Sequence, residues 1–306
     1  MDTAASSRLA QTDGADIVRR HRRAVFLMAA TAAMWSSAGV LTRHLERAAS
    51  FEVTFWRSLF AALAVLVYLL VARGSVVNPL RATGLPGLFS GLMWSVMFTC
   101  FMVALTMTTV ANTLIVMSTA PMLTAVLAWL VLREPVSGRT WVAIAAASVG
   151  LAWMFSDGLA GGHLAGMLVA LAVPLASSFN FIVNRRCGGR IDLVPAVFVG
   201  GCISVMATLP FAWTSLAAGQ VSAHDLAILA TLGVFQLGLP CVMMVHAARH
   251  LAAPEIALLA LIEVLLGPLW AWLWAGEVPA GTTLAGGAVV LAALVLNEAG
   301  RGRGVR

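Results

Sequence analysis

Apolar runs of about twenty residues recur along almost the whole chain, each long enough to cross a hydrocarbon core of about 30 Å as a helix. They leave no stretch of comparable size for a soluble domain. A backbone in lipid must satisfy its own polar groups, so long continuous runs of this kind are helices. Composition agrees: charged residues make up 10% of the 306, against about 25% in soluble domains. The expected fold class is therefore an all-α integral membrane protein.

Hydropathy and the turn signals between runs predict ten spans: Arg23–Thr42, Phe51–Ala72, Leu85–Leu105, Thr109–Leu132, Thr140–Phe155, Leu164–Val183, Leu193–Trp213, Asp225–Ala247, Pro254–Ala275 and Thr282–Leu296. All 19 basic residues are arginine. With a cytoplasmic N-terminus, sixteen of them, including Arg73, Arg133, Arg139, Arg185, Arg186 and Arg249, fall on the cytoplasmic side. Only Arg43 and Arg47 fall opposite, and Arg57 lies within a span. Such a bias in short loops sets orientation, so both termini are expected in the cytoplasm of a multi-pass protein of the plasma (cell inner) membrane. The net charge of +6 is then a topology device and implies no nucleic-acid partner. The cluster Arg19, Arg20, Arg22, Arg23 resembles the charged part of a signal peptide, but the run after it is full-length and lacks a small-residue cleavage site. It reads as a retained helix. Cys100, Cys187, Cys202 and Cys241 have neither disulfide nor zinc spacing, and no cofactor or metal is expected.

Displacing the chain by 143 residues lays Leu123, Ala128, Trp129, Leu130, Glu134, Gly138, Thr140 and Ala145 on Leu266, Ala271, Trp272, Leu273, Glu277, Gly281, Thr283 and Ala288. Coincident Trp, Glu and Gly at one offset point to duplication. The resulting units are a tail (1–22), two five-helix repeats (23–156 and 157–298) and a second tail (299–306). Five spans per unit force the second copy to enter the membrane upside down. Inverted repeats around a central cavity are the architecture of alternating-access carriers.

Trp35, Ser36 and Ser37 in the first span, FWRSLFAAL in the second, and the segments APMLTAVLAWLVLREP and EVLLGPLWAWLWAGEVP carry a resemblance to the EamA-like family of the drug/metabolite transporter superfamily. The likeness covers about residues 24–297. It implies a five-plus-five inverted fold, a cavity lined by spans 1, 3, 4, 6, 8 and 9, and movement of small organic metabolites, commonly outward. The proline that commonly follows the ninth-span glutamate in the family is replaced by Val264, so Pro268 is the candidate for the helix break there.

An arginine inside a span stays charged and costs about 2.5–3.5 kcal/mol on insertion scales unless it faces water or a partner. Arg57 therefore either stitches helices together or reaches cargo. Counting rise per residue puts Arg57 and Glu263 within about 7 Å in depth, close enough to meet or to share a cavity. Glu263 is the candidate for a cationic substrate group or a coupling proton. Ser177, Asn180 and Asn184 form a stripe on one helical face. Asn112, Ser118 and Thr119, with Ser36, Ser37, Trp35, Trp94 and Gln236, complete a candidate lining, although any of these groups can equally be interhelical glue. Pro121, Pro174, Pro240 and Pro268 mark candidate kinks. His246 and His250 lack an acidic third ligand, which makes them an ordinary polar helix end.

The expected function is a secondary transporter of small organic metabolites (amino acids, related compounds or drugs), most readily an exporter, acting as a monomer or homodimer. Uptake and cationic multidrug efflux are the alternatives. A channel would show a charged ring or filter, and an intramembrane enzyme would need a converging nucleophile and base or a metal cluster; neither pattern occurs in the sequence.

Overall fold

The computed structural model describes residues 3–42, 44–48, 50–108, 113, 116–154, 164–187, 190–219, 221–275 and 281–301, and every regular element among them is helical. In chain order the helices are α1 (Thr3–Trp35), α2 (Ala38–Thr42), α3 (Ser50–Arg73), α4 (Val77–Met107), α5 (Ala120–Leu127), α6 (Gly138–Met154), α7 (Leu164–Cys187), α8 (Val194–Ala217), α9 (Ala223–Thr231), α10 (Leu239–Ala247), α11 (Ala253–Ala260), α12 (Ile262–Ala275) and α13 (Gly281–Arg301). A π-helical turn, Ala128–Leu132, extends α5, and another, Leu232–Gly238, joins α9 to α10.

Seven stretches are long and apolar enough to cross a membrane: Asp16–Thr42, Phe51–Arg73, Val77–Ala104, Leu164–Cys187, Val194–Ala217, Ala223–Ala247 and Ala253–Trp274. The other three expected spans are shorter among the described residues. The fourth is Ala120–Leu132, its earlier part lying largely outside the described residues, the fifth is the 17-residue α6, and the tenth is Leu284–Asn297. The polar N-terminal segment is not separate from the first span but continues into it as one helix from Thr3. The expected start of the third span, Leu85, falls next to Gly84, whose φ of 53° interrupts α4. Only glycine adopts that conformation without a steric cost.

Three of the spans are interrupted. The first stops at Trp35 and resumes at Ala38. In the gap, Ser36 Oγ donates to the Ala33 carbonyl at 2.6 Å and Ser37 Oγ to the Met34 carbonyl at 2.7 Å, so both hydroxyls compete with the helical ladder. The fourth has a turn at Ser118–Thr119, after which Pro121 sits in the first turn of α5, where its missing N–H costs nothing. The ninth is interrupted at Leu261, between α11 and α12, by tight three-residue bonds from Leu261 N to the Leu258 carbonyl and from Val264 N to the Leu261 carbonyl, each 3.0 Å. This corrects the expectation of a break at Pro268, because α12 runs unbroken through that position.

Small residues bring the helices together, as they must where lipid offers no hydrophobic drive. A Cβ at Gly200 of α8 would lie 2.5 Å from Trp94 Cβ of α4, and one at Gly150 of α6 would lie 2.9 Å from the Gly286 carbonyl of α13. A buried hydroxyl relay of Ser58, Ser204 and Thr99, at 2.9 and 3.1 Å, ties α3, α8 and α4.

Side-chain contacts assign helix ends. Asp192, just before α8, pairs with Arg73 at the end of α3 and with Arg249 just after α10, the latter at 2.9 Å. Glu134 pairs with Arg185 at 3.1 Å, and His21 with Glu255 at 3.1 Å. These residues share the basic end of the bundle. At the opposite end Phe51 stacks on Phe211 with centroids 4.9 Å apart. There the Asp225 carboxylate accepts from the backbone amides of Glu46 and Arg47 at 2.9 and 3.0 Å.

Candidate functional site

The three interruptions converge. Trp35 at the end of α1, Met117 and Ala120 around the start of α5, and Leu261 and Glu263 around the start of α12 all line one cavity of about 70 Å³. A broken helix leaves backbone groups without intrahelical partners, and mid-membrane breaks are tolerated only where protein or water satisfies them. Glu263 stands in the first turn of α12, where the positive end of the half-helix favours a carboxylate. It is half-buried. The site therefore presents one acid, the Ser177 hydroxyl, and apolar walls that include Met97 and Phe181.

The candidate residues separate into two groups. Trp35, Ser177 and Glu263 line the cavity. Gln236 borders it indirectly: it lies in the π turn, and its Nε2 donates to the Trp35 carbonyl at 3.1 Å, while its Oε1 has no partner. Ser36 accepts from Trp270 Nε1 at 2.6 Å, linking α12 back to the end of α1. Ser37 and Thr119 bond only to carbonyls of their own turns, and Ser118 is buried in the turn before α5. Asn180 is fully buried away from the cavity, accepting from Ser90 of α4 at 2.6 Å and from Asn184 Nδ2 at 3.2 Å. The predicted polar stripe thus divides, with Ser177 at the cavity and the two asparagines at a helix seam. Trp94 is fully buried against Phe98, centroids 5.6 Å apart, and stands outside the cavity lining. Asn112 lies outside the described residues.

Arg57 is 3% exposed and its Nε has no hydrogen-bond partner. Among the described residues no carboxylate lies within 4.0 Å of it. It is within electrostatic reach of Glu263 and of the buried Cys241. The two charges on which the sequence reading centred are therefore coupled through space without forming a contact ion pair. Close packing fixes the backbone here, since a Cβ at Gly233 of the π turn would lie 2.7 Å from the Arg57 carbonyl oxygen.

Sequence reasoning missed Trp270, Met97, Met117 and Phe181. One usable signal was present: the 143-residue displacement lays Ser118 on Leu261 (261 − 118 = 143), so the fourth-span turn and the ninth-span break occupy equivalent positions.

Membrane helices interrupted around an internal cavity define a carrier-type membrane protein. The chain belongs to the EamA-like transporter family, whose sequence model matches residues 22–156 and again 164–298. It is 23% identical over 245 residues to the pseudopaline exporter CntI of Pseudomonas aeruginosa strain UCBPP-PA14, covering 80% of this chain and 84% of that one. It is 25% identical over 186 residues to the uncharacterized transporter YdfC of Bacillus subtilis strain 168, covering 58% of each. One solved crystal structure superposes with a TM-score of 0.72 at 14% identity, over 90% of this chain and 98% of that chain, a likeness of fold alone.

Proposed function

We propose that this protein is a secondary transporter that moves small organic metabolites outward across the cell inner membrane by alternating access. It does so through ten spans arranged as two five-helix inverted repeats, with both termini cytoplasmic. The observation that carries the reading is the meeting of three interrupted helices at a cavity holding Glu263. The double match of the family model supports duplication, and the printed function of CntI supports export. At about 70 Å³ the cavity accommodates a few waters and falls far below the roughly 300 Å³ of the smallest ordinary ligand pockets. This is therefore a contracted state, and cargo enters only when the half-helices separate. Glu263 is the coupling or cargo-binding acid. Arg57 lies within electrostatic reach of it, and Trp35, Ser177 and Gln236 shape the wall. Amino acids, related compounds and drugs with a cationic group match one acid between apolar and aromatic walls.

Counterflow in proteoliposomes across amino acids and cationic drugs tests the reading. Saturable exchange that falls to background in Glu263→Gln and survives in Glu134→Gln is the expected result. Saturable flux unchanged by Glu263→Gln overturns the assignment.

A further inference from the structure

At the basic end, residues of α1 and of α10 and the turn after it line a groove of about 900 Å³, far larger than the central cavity. Five arginines and two histidines line it, among them Arg19, Arg20, Arg23, His246, Arg249 and His250, and no carboxylate does among the described residues. Asp192 is engaged by Arg73 and Arg249, and Glu255 by His21 and the Ala252 amide, while Asp16, one turn before Arg19 and Arg20 on α1, is exposed and outside the lining. Among the described residues, the arginines from 19 to 23 make no ion pair. Apart from Arg249, which pairs with Asp192, the groove's arginines thus form a concave positive surface with no ion pair among the described residues.

Polarity along the wall is ordered. Arg19 to Arg23 are followed within about one turn by Phe26, 76% exposed, and Leu27, both in the same lining. Charge toward the chain end and apolar surface toward the membrane matches a molecule with a phosphate head and an acyl tail. A free phosphate would have no use for the Phe26 surface. Basic pockets between spans are suited to such headgroups. We propose that this groove seats the phosphate headgroup of an acidic phospholipid, with its acyl chain along Phe26. His250 is consistent with a site awaiting an anion, because partial burial, then the charges of Arg20 and Arg249, hold its imidazole below the usual 6.5.

Native mass spectrometry of the full-length protein in detergent tests this, with phosphatidylglycerol, phosphatidylcholine and inorganic phosphate as probes. Phosphatidylglycerol is expected to be retained over phosphatidylcholine, to be released by salt, and to resist displacement by inorganic phosphate. The double variant Arg19→Gln/Arg23→Gln should weaken its retention roughly thirtyfold. His250→Gln leaves the topology-setting arginines in place and should weaken retention in acid while leaving it unchanged at alkaline pH, so the test does not depend on correct insertion of the double variant. Equal retention of the two lipids, displacement by inorganic phosphate, or undiminished retention in both variants would overturn the assignment.

Discussion

Two helix pairs related by the 143-residue displacement are both packed but end differently. α7 closes tightly on α4: a Cβ at Gly166 would lie 2.8 Å from the Met107 carbonyl carbon. Ser90 and Asn180 bond at 2.6 Å, and Phe89 meets Phe179 edge-on with centroids 6.3 Å apart. α1 and α10, in the equivalent places, also pack, through buried Ala24, Met28, Met244, Val245 and Ala248, but leave the basic groove between their ends. Gly166 corresponds to Arg23 (166 − 23 = 143) and Met107 to His250 (250 − 107 = 143). The family-model boundaries give the same displacement to within one residue (164 − 22 = 142). The glycine lets two backbones meet, whereas the arginine at the equivalent place is exposed and lines the groove together with His250. In the proposed duplication, both pairings have thus been kept as packing, and one of them ends in an open surface.

The contrast breaks most readily at the seam. Gly166→Leu must push α7 off α4 and is expected to cost about 3 kcal/mol, read as lost folded protein in detergent or a lowered Tm; an unchanged Tm would mean that the seam is not tight. Ser90→Ala removes the hydroxyl donor to Asn180 and should cost about 1 kcal/mol in the same assay. On the groove side Arg19→Gln should leave stability within about 0.5 kcal/mol, because the residue faces solvent and has no partner to lose.

The smallest effect is a pH dependence. With its folded value below 6.5, His250 binds fewer protons folded than unfolded in the window between the two values. Stability there rises with pH and declines on acidification. His250→Gln should flatten that slope in a thermal-unfolding series from neutral to mildly acid pH, and added phosphatidylglycerol should do the same.

Much of the fold was legible because lipid permits so few solutions. Hydropathy anticipated the seven stretches long and apolar enough to cross a membrane, and the ion pairs of Asp192 and of Glu134 with Arg185 bring together helix ends that the arginine count had placed on one side. The interruptions were harder to read. The break before Glu263 has no proline of its own at Leu261, and in the first span two serines turn their hydroxyls back on the helix. Serine is common enough in spans that its presence announces nothing. The candidate site was legible at Glu263, Trp35 and Ser177. It was not legible for Asn180 and Trp94, since a polar or aromatic face reads alike whether it meets a cavity or a neighbouring helix. Trp270 escaped notice for a related reason: its role depends on a hydroxyl 234 positions away.

Asp225 grips the loop before α3 by the main-chain amides of Glu46 and Arg47 and not by their side chains. A library randomised at those two loop positions should therefore hold this end of the bundle shut as firmly as the original sequence, provided proline is excluded. Replacing Asp225 itself releases two amides at once. At this face one carboxylate holds the loop whatever its lettering, beside the stacked rings of Phe51 and Phe211.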